Sequence, residues 1–364
     1  SAIVYEDLNK KNNDKYEFIY PTFNTNKKII NNSSIAGNFS VNSSGFMKHY
    51  DTNVSEKVLI NDLIFNSDPF LTKTGFKNDF EILLKNANTE GKNSKKYKNT
   101  LNNELASIMQ FNTSFPLKKN DKNFVNILKP LTSFKFSPNK NRSNIKNEDQ
   151  RVDVNNIYNI NRIGSRDTVE GGASLTYGLE FERNKLENNN DFFSAKLANV
   201  LRLKENKHLP NNNDLRKKSS DIFGSLMYTP SNLFKINYDF ALDNGLDKTK
   251  YQSIETAINV NNFITSFQYL NENNTKDSLS YLSNKTTYNF SETNNLAFET
   301  RKNKKTNMTE FYNLIYQYKN DCLIAALEYN KDYYNDRDLK PEENIFFKLT
   351  IIPFGQTSSP NLRW

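Results

Sequence analysis

The stretch Phe234-Lys235-Ile236-Asn237-Tyr238-Asp239-Phe240-Ala241-Leu242 puts an apolar or aromatic side chain at every second position and a polar or small one between. A period of two is the mark of a β-strand with one apolar and one wet face. The rhythm returns in Ala173, Leu175, Tyr177, Leu179 and Phe181 against Ser174, Thr176, Gly178, Glu180 and Glu182, and in Ile254, Ile258 and Val260 against Glu255, Asn259 and Asn261. It is weaker in Tyr312, Leu314, Tyr316 and Tyr318, where Ile315 interrupts the polar set. Extended from residue 15 to residue 352, this reading predicts about seventeen strands at hairpin spacing and no long amphipathic helix.

The composition agrees. Of 364 residues 36% are hydrophobic and the mean hydropathy is -0.78, too little apolar matter for large dry cores. Yet 27 Phe and 19 Tyr argue against disorder, since these residues favour pleated, half-buried surfaces. A soluble sandwich also alternates, but so many strands with charged inward positions and few Gly or Pro fit one large sheet that is wet on one side and apolar on the other. No apolar run is long enough for a spanning helix. The net charge of +8 is spread along the chain without a compact patch of bases and stacking aromatics, so nucleic acid is not expected as a partner.

The predicted connections alternate in length, as in bacterial membrane barrels with short periplasmic turns and longer outer loops. Short ones fall at 119–124, 230–232, 261–262, 291–295 and 319–321; longer polar ones at 139–170, 205–220, 243–250, 271–276 and 330–343. The final strand, 344–352, then runs inward. The expected fold class is all-β: a large antiparallel transmembrane β-barrel. An odd strand count cannot close antiparallel, and the opening Ser1-Ala2-Ile3-Val4 shows no export signal. The chain is therefore expected to form an incomplete barrel of about seventeen strands lacking N-terminal strands. By this reading 1–355 is barrel, with 139–170 a long folded outer loop, and 356–364 a periplasmic tail.

Asp153 to Phe181 reads Asp-Val-Asn-Asn-Ile-Tyr, then Asn-Arg-Ile-Gly-Ser-Arg-Asp-Thr-Val-Glu-Gly-Gly, then a Tyr-Gly strand. This resembles the signature of the LPS-assembly protein LptD family: Asp-x-x-Asn-Leu-Phe, Asn-Arg-Phe-Ser-Gly-x-Asp-Arg-x-Glu and Tyr-Gly. Asp153, Asn156, Asn161, Arg162, Asp167, Glu170, Gly171, Tyr177 and Gly178 match; Ile163, the inverted Gly164-Ser165 pair and Thr168 depart from it. Similarity continues at 104–117, at 220–231 and in the last hairpin, 320–355. The resemblance implies an outer-membrane exporter of lipopolysaccharide (LPS), a barrel of about 26 strands preceded by a periplasmic jellyroll. It implies no enzyme and no cofactor. It further implies a plug lipoprotein, LptE, in the lumen, the periplasmic Lpt bridge docking through the missing jellyroll, and the barrel-assembly machinery during folding.

Several residues carry a sharper and a plainer reading. Cys322 is the sole cysteine, and strand phase sets it inward with Ile324, Ala326 and Glu328. The resemblance implies a disulfide to a cysteine outside this chain; the plain reading is a small buried residue without a partner. Ile345, Phe347, Leu349 and Ile351 form the last strand, which the resemblance makes one side of a lateral seam. Pro353, lacking an N–H, weakens that seam or simply ends the strand. The 139–170 loop is either a cross-linked cap over the lumen or a solvated surface loop. Lys235, Asn237, Asp239, Glu255 and Asn259 are expected to line the lumen, letting sugar and phosphate pass in water while acyl chains leave through the seam.

Three rivals remain at this level. A general diffusion porin or receptor-type barrel requires an uninterrupted closed barrel. An outer-membrane enzyme requires a Ser/His/acid set, which the isolated His49 and His208 do not supply, and neither belongs to a metal-ligand cluster. An Asn-rich solenoid requires a fixed repeat, and none is present.

Overall fold

The computed structural model describes residues 1–6, 16–29, 36–50, 53–139, 151–164, 166–186, 191–209, 213–273, 278–333, 341–351, 355–358 and 362–363. Among these residues it is all β, with 22 strands and one 3-10 turn at Asp214–Arg216. Five strands have two to four residues; the other seventeen have nine to sixteen, which matches the predicted number. Nine to eleven residues suffice for a tilted strand to cross a bilayer. No helix is long and apolar enough to do so.

The chain divides into two compact units. The first comprises Ser1–Phe181, Lys196–Gly224 and Asp243–Gly245. Its meander pairs β1 (Ile3–Glu6) with β2 (Tyr16–Ile29), then β3 (Gly37–Tyr50), β4 (Ser55–Ser67), β6 (Lys77–Lys92), β7 (Asn102–Ser114) and β9 (Phe124–Ser137), every neighbour antiparallel. The short β5 (Phe70–Leu71) joins β6 and β8 (Leu117–Asn120) joins β9. Leu63, Leu84, Leu105, Met109, Phe111, Phe134 and Phe136 are exposed on one face. On the opposite face Leu83 and Ile108 are buried with Val169 of the long connection, and Ile64, Ala106 and Ile160 pack around them. The long connection leads into β10 (Gly172–Lys185), followed by β11 (Asp191–Arg202) and β12 (Ile222–Ser231).

The second unit comprises Glu182–Ala195, Ser225–Leu242 and Leu246–Trp364. It is a meander of β13 (Phe234–Leu242), β14 (Thr249–Val260), β15 (Phe263–Glu272), β16 (Leu279–Asn289), β17 (Asn294–Asn303), β18 (Met308–Lys319), β19 (Leu323–Asp332) and β20 (Glu342–Ile351). Register turns the one-dimensional alternation into two faces. Val260, Phe263, Tyr288, Leu296, Tyr316, Leu327 and Phe347 are successive cross-strand partners, an unbroken apolar row. On the other face Asn237, Glu255, Gln268, Ser283 and Arg301 form a polar row. Ile315, which interrupts the sequence pattern, lies on that polar face between Ala297 and Glu328, where a small partner leaves it room.

The tight connections explain part of the asparagine content. Asn261 opens the two-residue turn between β14 and β15 at φ 52°, and Asn307 takes φ 55° before β18. Asparagine tolerates this left-handed region because its side chain bonds locally.

Two features differ from expectation. Cys322 is not on an inward strand position: it is exposed in the turn before β19, its N–H donating to Asn320 Oδ1 at 3.0 Å. That Asx turn also receives the Leu323 N–H at 2.7 Å and delays the strand by a residue, so the phase read from β19 does not extend to the cysteine. Residues beyond 354 add β21 (Gly355–Ser358) and β22 (Leu362–Arg363) to the far edge of β20.

Candidate functional site: a folded loop on the polar face

The connection between β9 and β10 lies within the first unit. Its local order starts with Asp153, whose Oδ1 accepts from the N–H groups of Asn155 at 2.7 Å and Asn156 at 3.1 Å. Asn156 answers through its side chain, accepting from Asp153 N and donating to Arg151 O. Two short polar side chains thus close one tight turn, which is what the Asp-x-x-Asn spacing requires.

The turn delivers Arg162 to a fully buried position. Its Nε and Nη2 grip the two oxygens of Glu170, each at 2.7 Å. Nη2 also donates to Ser174 Oγ at 2.8 Å, and Nη1 to Thr176 Oγ1 at 2.8 Å and Ile157 O at 3.2 Å. All five guanidinium hydrogens are used, the condition under which a buried arginine is tolerated. The alternation of β10 supplies the two hydroxyls: Ser174 and Thr176 point into the site while Leu175, Tyr177 and Leu179 are exposed on the other face.

Glu170 carries more than one partner. Arg202 at the end of β11 donates to it and to Gly171 O, and Lys135 Nζ of β9 lies 4.0 Å away while donating to Asn159 O and Ile160 O at 2.5 and 3.1 Å. Lys85 of β6 is paired with Asp62 at 2.7 Å and also holds Arg166 O at 2.8 Å. Gln110 of β7 donates to Tyr158 O at 2.6 Å, and Tyr97 to Asp167 at 2.9 Å. The strands therefore present a set of long donors, and the loop presents carbonyls and two acids.

Burial alone would raise the Glu170 carboxyl, but the charges of Arg162, Lys135 and Arg202 outweigh it and hold the group well below the usual carboxylate range. A carboxylate depressed in the folded state lends stability that is complete above its unfolded value, about 4.3, and is lost as pH falls from there through the folded value. Docking of the loop is expected to be unchanged from about pH 8 to about pH 5 and to weaken only below about pH 4.3. Limited proteolysis within 151–170 at each pH checks this; cleavage rising between pH 7 and pH 5 contradicts it.

Two glycines are required by the geometry. A Cβ on Gly178 would overlap the Tyr158 hydroxyl and Leu197 O, so the Tyr-Gly step is where the loop lies directly on backbone. Gly172 takes φ 89° as the loop enters β10.

The residues singled out in the sequence are thus partly brought together. Asp153, Asn156, Arg162, Asp167, Glu170, Gly171 and Gly178 belong to the docked loop, and Asn161 is half-buried beside Arg162. Tyr177 does not: it is exposed on the opposite, apolar face. Lys85, Gln110, Lys135 and Arg202 were missed, because each sits in a strand far from the motif. The only hint was a long polar side chain at an inward strand position. In the second unit Lys235, Asn237, Asp239, Glu255 and Asn259 share one face, and Ile345, Phe347, Leu349 and Ile351 share the other. Pro353 lies outside the described residues. No group of His, Cys, Asp and Glu among the described residues is arranged to hold a metal.

Strands of spanning length, an apolar face exposed across successive strands and a polar face carrying a docked loop define an antiparallel sheet of the large β-barrel class. Residues 65–284, more than half of the chain, match the family described as LptD, LPS transport system D, and the chain belongs to that family. The family transports LPS and is not a family of enzymes. No curated protein matches the chain. A solved structure described as "Asymmetric conductivity of engineered proteins" is similar over 77% of this chain and 86% of its own, at 8% identity and a TM-score of 0.32, too remote to bear on function.

Proposed function

We propose that this protein is the barrel part of an LPS translocon in the outer membrane of a Gram-negative bacterium, inserting LPS into the outer leaflet. The observation that carries the reading is the two-faced sheet of a chain in the LptD family. A charged glycolipid headgroup left in hydrocarbon costs many kcal/mol, so the two halves of the substrate need different solvents. The polar face with Lys235, Asn237, Asp239, Glu255 and Asn259 suits the sugar and phosphate half. The acyl half leaves through a seam at β20, the strand carrying Ile345, Phe347, Leu349 and Ile351, with Pro353 just beyond it. No bond is made or broken, so no catalytic residue is needed.

A barrel of the family's size is too wide for side chains to fill, and the docked 151–170 loop supports a partly closed lumen, the remainder going to the lipoprotein LptE. The periplasmic Lpt bridge delivers substrate through a jellyroll outside this chain, and the barrel-assembly machinery inserts the protein. Exposure of Cys322 in a turn supports a disulfide to a cysteine outside the chain, since an exposed thiol in an exported protein is open to oxidation.

The test is site-specific photocrosslinking in the full-length protein in membranes. A photoreactive residue at Asn237 is expected to capture LPS, and one at Tyr238 phospholipid acyl chains. Adducts with the reverse preference, or no LPS adduct at Asn237, overturn the reading.

A further inference from the structure

Where β9 and β11 end and β10 begins, a cavity of about 610 Å³ opens among residues 137–139, 171–173 and 202–208, all within the first unit. Arg202 forms part of its wall. It is buried, its Nη1 and Nη2 go to Glu170 and Gly171 O, and its Nε–H has no partner among the described residues. Lys204, Lys207 and His208 also line the cavity, and their exposed side chains meet no acceptor among the described residues. The acid in the wall, Glu205, is already taken by Arg216 at 3.3 Å. The cavity is therefore basic and uncompensated.

The turn that carries the lysines is a built one. Asn206 is buried at its centre: its N–H donates to Arg216 O at 2.8 Å, its side-chain oxygen accepts from His208 N at 3.2 Å, and its carbonyl accepts from Leu209 N at 3.2 Å. The apolar face of the sheet runs up to the same place. Phe136, Leu175 and Leu201 are exposed on that face, each two residues short of Pro138, Ala173 or Leu203 in the cavity wall. Two residues along a strand return to the same side. Leu203, immediately before Lys204, is 76% exposed. A bare leucine beside unpaired lysines suits a membrane boundary, hydrocarbon on one side and anionic headgroups on the other.

We infer that this rim is a lipid-headgroup site on the apolar side of the sheet, taking the phosphate of an outer-leaflet glycolipid among Arg202, Lys204 and Lys207 while its acyl chains lie along Phe136, Leu175 and Leu201. A phosphate monoester brings close to two negative charges and strong acceptor oxygens, which are what these donors lack. An uncharged headgroup leaves the lysines as they are. The ligand is substrate already delivered, not substrate in transit along Lys235 and Asn237. Its identity as LPS rests on the reading proposed above; the charge pattern does not.

Full-length protein in bilayers of LPS and phosphatidylethanolamine tests it. A photoreactive residue at Leu203 is expected to form an LPS adduct, and Lys204→Ala with Lys207→Ala is expected to lower its yield at least about tenfold, the loss of two charge-assisted bonds. Lys204→Arg with Lys207→Arg is expected to keep the yield. Lys118→Ala with Lys119→Ala, the same change of charge on the exposed β8, is expected to leave it unaltered. LPS stripped of its phosphates is expected to lose adduct as far as the first variant does. Equal yields from the two alanine variants, or an undiminished yield from stripped LPS, overturn the site. Loss of the adduct to excess inorganic phosphate makes it a free-anion pocket and overturns the lipid. Adduct at Leu203 with none at Asn237 upholds this site and removes the transport reading; adduct at Asn237 with none at Leu203 does the reverse.

Discussion

Glu170→Gln is expected to release the 151–170 loop and to lower the stability of the protein by about 3–5 kcal/mol, the cost of breaking a buried ion pair from one side. The size follows from the charge count. Glu170 is the acid facing Arg162, Arg202 and Lys135, all buried, and the neutral amide keeps the shape but leaves three cations close together. Arg162→Lys is expected to come close to the same loss, because an ammonium cannot supply the fork to Glu170 together with the bonds to Ser174, Thr176 and Ile157. Denaturant unfolding of the detergent-solubilised protein measures the first effect, and protease sensitivity of 151–170 the second. A variant that unfolds like the parent and keeps its loop protected would remove the cluster from any structural role.

Leu314→Arg is expected to destabilise the folded, membrane-inserted protein by about 2–4 kcal/mol, whereas Asn313→Arg, one residue away, is expected to cost little. Leu314 is exposed on the apolar face, where Phe298 and Tyr329 are its partners. Asn313 lies on the polar face and donates to Glu328 at 3.2 Å, so a cation there gains a partner. The pair isolates facing from strand propensity, since both sites lie in β18. Yield of inserted protein and its heat stability on gels report the difference. Equal losses at the two positions would mean that this face of the sheet does not meet hydrocarbon.

How much of this was legible beforehand depends on the range over which each feature is specified. The alternation in Phe234–Leu242 and in Ala173–Phe181 is local, and it correctly assigned Ser174 and Thr176 to one face and Leu175, Tyr177 and Leu179 to the other. The loop motif was legible as a folded unit because Asp153 and Asn156 bond within one turn. Its anchors were not. Nothing in β6, β7 or β9 alone says that Lys85, Gln110 and Lys135, rather than any other inward polar residue, meet carbonyls of a distant loop. Tyr177 stands beside the motif in sequence but not in space, because a strand sends adjacent side chains to opposite faces. Cys322 shows the converse: a period of two does not extend into a turn that an Asx bond has already begun. β21 and β22 are not legible in the sequence, because strands of four and two residues carry too little periodicity.

The single acid shared by several cations also bears on the order of assembly. Lys135 comes from β9, Arg202 from β11, and Glu170 from the chain between them. Burying these cations is costly until that carboxylate is in place, and the carboxylate is held there by the Arg162 fork. The loop must then dock while these strands zip together, not after the sheet around it is complete.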